Sequence, residues 1–280
     1  MSQGFYFSYG GKVSIHYRTV GHGPLPILFL HGFASSAATW LDMEGLFPAE
    51  EYTLFLLDLK GFGLSDKPRE RTYSIEDQVK IVCAFIMEKR FNSLILVGHS
   101  LGGAIALRLC IDEKRRSESF CVSKLILIDA AAYPQRLPGF FRKLKSPLGP
   151  LYLRLIPVRT LVNGVLERVF FDTSSITPER FERYKSYFRG KGVAHALRAT
   201  VKAVDPEAYK NIEYSYRHLK LPALIIWGKE DRNVRLSVGQ RLHADLCGSR
   251  LKVLERCGHN PHEERPAETA DEILAFLREP

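Results

Sequence analysis

The 280-residue chain predicts an α/β fold with a mostly parallel central sheet, helices on its faces and a helical segment inserted late in the chain. Two observations carry this. Short apolar runs bounded by turn residues recur as buried parallel strands do: Ile27–Leu30, Ser93–Val97, Lys124–Ile128, Pro222–Trp227 and Leu251–Leu254. Between them lie helical patterns, until Tyr133, where strand-like runs give way to helices and prolines as far as Arg217.

The first run, Ile27–Leu30, ends in His31-Gly32-Phe33, a tight turn. Ser74 to Lys89 is amphipathic with Ser74 as its N-cap. The next run opens into Gly98-His99-Ser100-Leu101-Gly102 and then into the helical Gly103–Leu109. Strand, G-x-S-x-G, helix is the context in which a serine is presented as a nucleophile. Serine needs both exposure and an adjacent base, because its hydroxyl is weak at its own pKa. Ser100 is therefore the candidate nucleophile.

In this arrangement the acid and the histidine follow the serine along the chain. The Pro222–Trp227 strand runs into Gly228-Lys229-Glu230-Asp231, which makes Asp231 the candidate acid, with Glu230 beside it as an alternative. Asp129, at the end of Lys124–Ile128, is a second reserve, since carboxyl ends of parallel strands are where sites assemble. His259 lies on the loop after the last strand and is the candidate base. His262 reads as the entrance to the C-terminal helix and is the alternative to His259 as base. His31 and His99 flank turns and read as structural, and His16, His22, His195, His218 and His243 have no constellation around them. Acyl transfer also needs two N–H donors for the developing oxyanion. The backbone amides of Phe33 and Leu101 are the candidates.

Together these motifs resemble the α/β-hydrolase superfamily, in its serine-nucleophile carboxylesterase and lipase-like branch with a helical lid. His31-Gly32-Phe33 resembles the oxyanion motif. Asp58-Leu59-Lys60-Gly61-Phe62-Gly63-Leu64-Ser65 resembles the D-x-x-G-x-G-x-S turn that shapes the mouth of the site. Gly98–Gly102 resembles the nucleophile elbow, and Gly228–Asp231 and Gly258-His259 the acid and histidine loops. The likeness spans residues 10–132 and 218–280. It implies an α/β-hydrolase fold, with residues 1–132 and 218–280 as core and 133–217 as lid. It also implies ester hydrolysis through an acyl-enzyme. Haloalkane dehalogenases and epoxide hydrolases of this fold carry aspartate at the elbow, so Ser100 argues against both. Hydrolases of meta-cleavage products, which break carbon–carbon bonds, use serine and stay open. So do esterases of carrier-protein-linked acyl groups, and plant hormone receptors that keep a triad but act by binding.

Composition narrows partners and location. The Met1–Tyr6 start is no signal peptide, no apolar run reaches the length of a membrane span (about 18 residues), and five cysteines without metal-ligand spacing suggest reduced thiols in the cytoplasm. Neither a phosphate-binding nor a dinucleotide motif occurs, so no cofactor and no metal are expected. Residues 133–217 hold 16 Lys and Arg against 7 Asp and Glu, a formal +9, which equals the charge of the whole chain. The core is thus neutral and the lid carries the imbalance. Leu137–Ile156 mixes Phe140, Phe141, Leu144, Leu148, Leu151, Tyr152 and Leu155 with Arg142, Lys143, Lys145 and Arg154, a basic amphipathic pattern. Beside a small-molecule ester substrate, this lid suits an anionic membrane surface, with the chain peripheral to it, or an acidic carrier protein. The pimeloyl-[acyl-carrier protein] methyl ester esterases share such a plan. No recognition motif accompanies the charge, so nucleic acid is not expected. Phe140, Phe141, Phe170 and Phe171 are the candidate lining of the acyl pocket.

Overall fold

The computed structural model describes residues 3–116, 120–134, 139–204 and 212–279. Leu137, where the basic amphipathic stretch begins, and Pro138 and Pro206, among the prolines of the inserted segment, lie outside them. Eight strands form one sheet: β1 (Gln3–Tyr9), β2 (Val13–Gly21), β3 (Leu25–Leu30), β4 (Tyr52–Leu57), β5 (Ser93–His99), β6 (Cys121–Ile128), β7 (Ala223–Gly228) and β8 (Arg250–Leu254). Their order is β1-β2-β4-β3-β5-β6-β7-β8. β1 pairs with β2, and β2 with β4, antiparallel; the other pairings are parallel.

Alternation along the strands builds two cores. In β3, Leu28 and Leu30 point to the face that holds Val82, Phe85 and Ile105; Ile27 and Phe29 point to the other, with Trp40, Ile273 and Phe276. Val82 and Phe85 belong to α1 (Ile75–Glu88) and Ile105 to α2 (Leu101–Arg116). α1 starts at a complete capping box: Ser74 Oγ accepts from the Asp77 N–H and the Asp77 carboxylate from the Ser74 N–H. Burying each such large apolar side chain is worth about 1.5–3 kcal/mol.

The sheet order explains where a site can sit. After β3 the chain moves to β4 on one side; after β5 it moves to β6 on the other. A crevice therefore opens past the carboxyl ends of β3 and β5, at the topological switch point.

Between β6 and β7 the described residues form helices α3 (Gly139–Lys145), α4 (Gly149–Leu155), α5 (Val158–Val169), α6 (Pro178–Tyr187), α7 (Val193–Ala203) and α8 (Ile212–Arg217). Helices α3, α4 and α7 pack together, and Leu144, Val193, Leu197 and Val201 extend the main core. α5 and α6 form a separate small core of Val162, Leu166, Val169, Phe170, Tyr184 and Tyr187. α8 packs against α2 and α9 (Leu236–Asp245). The chain closes with α10 (Pro261–Glu264) and α11 (Pro266–Leu277). No helix among the described residues is long and apolar enough to cross a membrane.

Candidate active site

Ser100 stands between β5 and α2 with φ +52°, a left-handed backbone that costs a serine about 1–3 kcal/mol. The neighbours hold it there. Its N–H donates to Ile128 O (3.0 Å), and its carbonyl accepts from Gly103 N (3.0 Å) and Ala131 N (3.0 Å). The elbow is too crowded for side chains beside the serine. A Cβ on Gly102 would stand 2.1 Å from Leu30 O, and one on Gly98 2.6 Å from Gly102 O. The two glycines of the motif are therefore required by close backbone approach.

His259 Nε2 lies 3.0 Å from Ser100 Oγ, and His259 Nδ1 lies 2.7 Å from Asp231 Oδ2. A carboxylate only accepts, so Nδ1 carries the proton and Nε2 is left to accept from the serine. Asp231 is fixed in turn: its Oδ1 accepts from Asn233 N (2.6 Å) and Val234 N (3.1 Å). Asp231 and His259 are buried, while Ser100 is half-buried. Glu230 points elsewhere and accepts from Cys257 N (2.9 Å).

The histidine loop is held from several sides. The His259 N–H donates to Val169 O at the end of α5 (2.7 Å). Its carbonyl accepts from His99 Nε2 (2.9 Å). The Glu264 carboxylate accepts from Gly258 N (2.7 Å) and Phe171 N (2.8 Å). His99, read from sequence as structural, is thus a brace for the base. Burial lowers its pKa well below the usual histidine range, so it stays a neutral donor. His31 is neutral too, lowered by burial; Nδ1 donates to Gly32 O (2.7 Å) and Nε2 accepts from Leu59 N (3.0 Å). His262 binds Thr39 Oγ1 through Nε2 (2.9 Å), and burial, with the nearby Arg183 charge, pushes it down to about 3. Burial pushes the Cys257 thiol far up, which leaves it inert.

Asp129 sits behind the triad acid, fully buried and strained at φ +42°. Its Oδ1 accepts from Gly228 N (3.1 Å). Burial and then the neighbouring Asp231 charge raise its pKa well above the carboxylate range. Two adjacent buried carboxyls cannot both ionise cheaply, so Asp129 is the protonated one. Asp129, Asp231 and His259 are also the one group of three potential metal ligands among the described residues, with ligand atoms within 4.8 Å of one another. Asp231 and His259 are already committed to each other and to Ser100, so the grouping is a triad with a second acid behind it.

A cavity of about 670 Å³ opens at Ser100. Phe33, Leu101 and His259 line it on the sheet side, and Phe140, Phe141, Tyr152, Leu161 and Val201 on the side of the helical segment. Both candidate oxyanion donors thus border the same space as the nucleophile. Phe141 packs on Phe33 with ring centroids 4.7 Å apart. Phe170 and Phe171 lie away from this cavity, contrary to expectation. Phe170 fills the α5–α6 core, with the Arg180 guanidinium 5.2 Å from its ring, and Phe171 faces Arg256. The Asp58–Ser65 turn is likewise not at the cavity wall. The Asp58 carboxylate accepts from Ala37 N (2.6 Å), Leu64 N (2.8 Å) and His16 Nδ1 (2.8 Å), while Phe62 packs behind Phe33, centroids 5.7 Å apart. The turn braces the oxyanion segment from behind. Cavity residues that the sequence did not disclose include Ile156, Thr160 and Val165, and the cations Lys143, Lys145 and Arg168.

Residues 27–272 match the Alpha/beta hydrolase family, and the chain belongs to that family. It is 31% identical to the uncharacterized hydrolase YugF of Bacillus subtilis, over 94% of this chain and 93% of that protein. It is 26% identical to a 2-hydroxy-6-oxononadienedioate/2-hydroxy-6-oxononatrienedioate hydrolase of Burkholderia vietnamiensis, over 96% and 92% of the two chains. Among solved structures it is similar to a membrane phospholipase A described as a bacterial virulence factor. That likeness has a TM-score of 0.80 and 29% identity, and covers 99% of this chain and 86% of the other.

Proposed function

We propose that this hydrolase cleaves carboxylic esters through an acyl-enzyme on Ser100. The observation that carries the reading is the hydrogen-bonded chain from Ser100 Oγ through His259 to Asp231, opening into a largely apolar cavity that Phe33 and Leu101 also line. His259 takes the serine proton as Ser100 Oγ attacks the ester carbonyl. The two amides stabilise the tetrahedral oxyanion, a contribution of about 10²–10³ in turnover for each donor. His259 then protonates the departing alcohol, and water activated the same way releases the acid. The helical segment acts as a lid, and Phe140, Phe141, Tyr152 and Leu161 hold the acyl chain. The likeness to a phospholipase supports ester chemistry. The reaction needs no cofactor.

Carbon–carbon bond hydrolysis is the second reading. The dienedioate hydrolase likeness supports it, as do Lys143, Lys145 and Arg168 at the cavity, which suit an anionic substrate. Assay of p-nitrophenyl esters of increasing acyl length, beside a ring-fission dienone followed by its ultraviolet absorbance, separates the two. Turnover of esters that disappears in Ser100→Ala supports the first. Efficient dienone cleavage with ester turnover near background sinks it.

A further inference from the structure

The basic amphipathic stretch divides in the folded chain. Leu144 is fully buried, and Phe140, Phe141 and Tyr152 pack against the core. Leu148, Leu151 and Leu155 do the opposite and stand 70%, 50% and 69% exposed. Leu151 and Leu155 lie on one face of α4, and Leu148, its N-cap, leads into that face at i, i+3, i+7 spacing. Exposed around them are Arg142, Lys143, Lys145, Arg154 and Arg159. From Ala130 to Leu166 the chain contains no Asp or Glu at all. Isolated exposed leucines are ordinary; three at helical spacing, in a segment with five exposed cations and no acid, mark an interaction surface.

The charge pattern selects the occupant. Self-association through this face would bring ten like-charged side chains together, counting both copies. A bilayer carrying anionic headgroups offers what both parts of the face require: negative charge at the level of the cations and hydrocarbon just beneath for the leucines. The position fits as well. Lys143, Lys145, Tyr152 and Ile156, on or next to the same two helices, line the cavity that reaches Ser100.

We propose that the α3–α4 face seats on an anionic lipid surface and takes amphiphilic esters from it into the cavity. The docking stands on its own; the ester rests on the reading above. The test is sedimentation with vesicles of phosphatidylcholine, with and without phosphatidylglycerol, using both the wild-type chain and Ser100→Ala. Both are expected to bind the anionic vesicles alone, and added salt should weaken that binding. Arg142→Gln or Arg154→Gln each weakens it about fivefold. Leu148→Ser, Leu151→Ser and Leu155→Ser together weaken it at least about tenfold. Turnover of p-nitrophenyl acetate in that triple variant stays at the wild-type level, which reports an intact fold. Four results would overturn the proposal. These are no binding to anionic vesicles, binding unaffected by the leucine changes, full displacement by soluble polyglutamate, and lipid-free dimerisation that the leucine changes abolish. Vesicle binding without turnover of any ester would leave the docking intact and remove the ester reading.

Discussion

Asp231 and Asp129 lie side by side, and only one of them touches the histidine. Asp231→Asn preserves shape but hands His259 the wrong tautomer, so kcat is expected to fall by about 10⁴. Asp129→Asn replaces an already neutral carboxyl and keeps an acceptor for the Gly228 N–H, so kcat should stay within about threefold of wild type. The same residue gives a signed effect on stability. The folded pKa of Asp129 is raised above its unfolded value of about 3.9. Its contribution is full below that value and is lost as pH climbs through the folded pKa. Urea unfolding should therefore show Asp129→Asn gaining on wild type as pH rises from about 4 toward neutrality. Equal slopes for the two proteins would contradict a protonated Asp129.

At the scale of elements, the helical segment is attached to the loop of His259, the proposed base. α6 lays Arg180 and Arg183 on Asp42 at 2.8 Å each, and Arg183 also reaches the buried Glu263 at 3.0 Å. Tyr184 and Asn260 hydrogen-bond the other oxygen of Glu263. Glu263 follows His259 by four residues, so this network and the Val169 carbonyl fix the loop that aims the imidazole. Removing one member strands a buried charge. Glu263→Ala is expected to lower stability by about 3–5 kcal/mol and reduce kcat with it, while Glu263→Gln recovers most of the packing. Thermal unfolding and kinetics of the two variants, measured together, check this. Sequence disclosed β3, β5, β6 and β7 because strands covered on both faces are continuous apolar runs, and β8, a half-exposed edge strand, as the last strand-like run before the histidine loop. It was silent on β4, although Tyr52–Leu57 is largely buried, and on β1 and β2, which pair antiparallel toward the sheet edge and alternate polar with apolar residues. Glu263 and Glu264 were equally invisible, because the residues of the helical segment that they bind, Tyr184 and Phe171, lie 79 and 93 residues away and meet them only in the fold.

For the molecule as a whole, the triad was legible because local motifs encode it: an elbow glycine pair, a strand-end acid and a loop histidine. The cavity was less so. Phe140 and Phe141 reach it, but Phe170 and Phe171 turn into the α5–α6 core, since which face of a helix meets the site depends on how the segment folds back over the sheet. The buried neutral histidines make the whole fold acid-sensitive. His99 and His262 have folded pKa values below the unfolded value of about 6.5. Their stabilising share is complete above that pH and is lost as pH falls toward the folded values, by up to about 1.4 kcal/mol per pH unit for each. His31 is lowered in the same way, so urea unfolding should weaken steeply below about pH 6.5, and His262→Gln should remove about a third of that slope. An unchanged slope in the variant would show that His262 does not stay neutral in the fold.

The central claim is that Ser100 carries the acyl group. Rapid quenching of the enzyme with a p-nitrophenyl ester at acid pH, followed by peptide mass spectrometry, reads it directly. The account predicts one acyl group per chain, on the peptide containing Ser100, accompanied by a burst of p-nitrophenol, both absent from Ser100→Ala. An acyl group on any other residue, or steady ester turnover by Ser100→Ala at the wild-type rate, would contradict it.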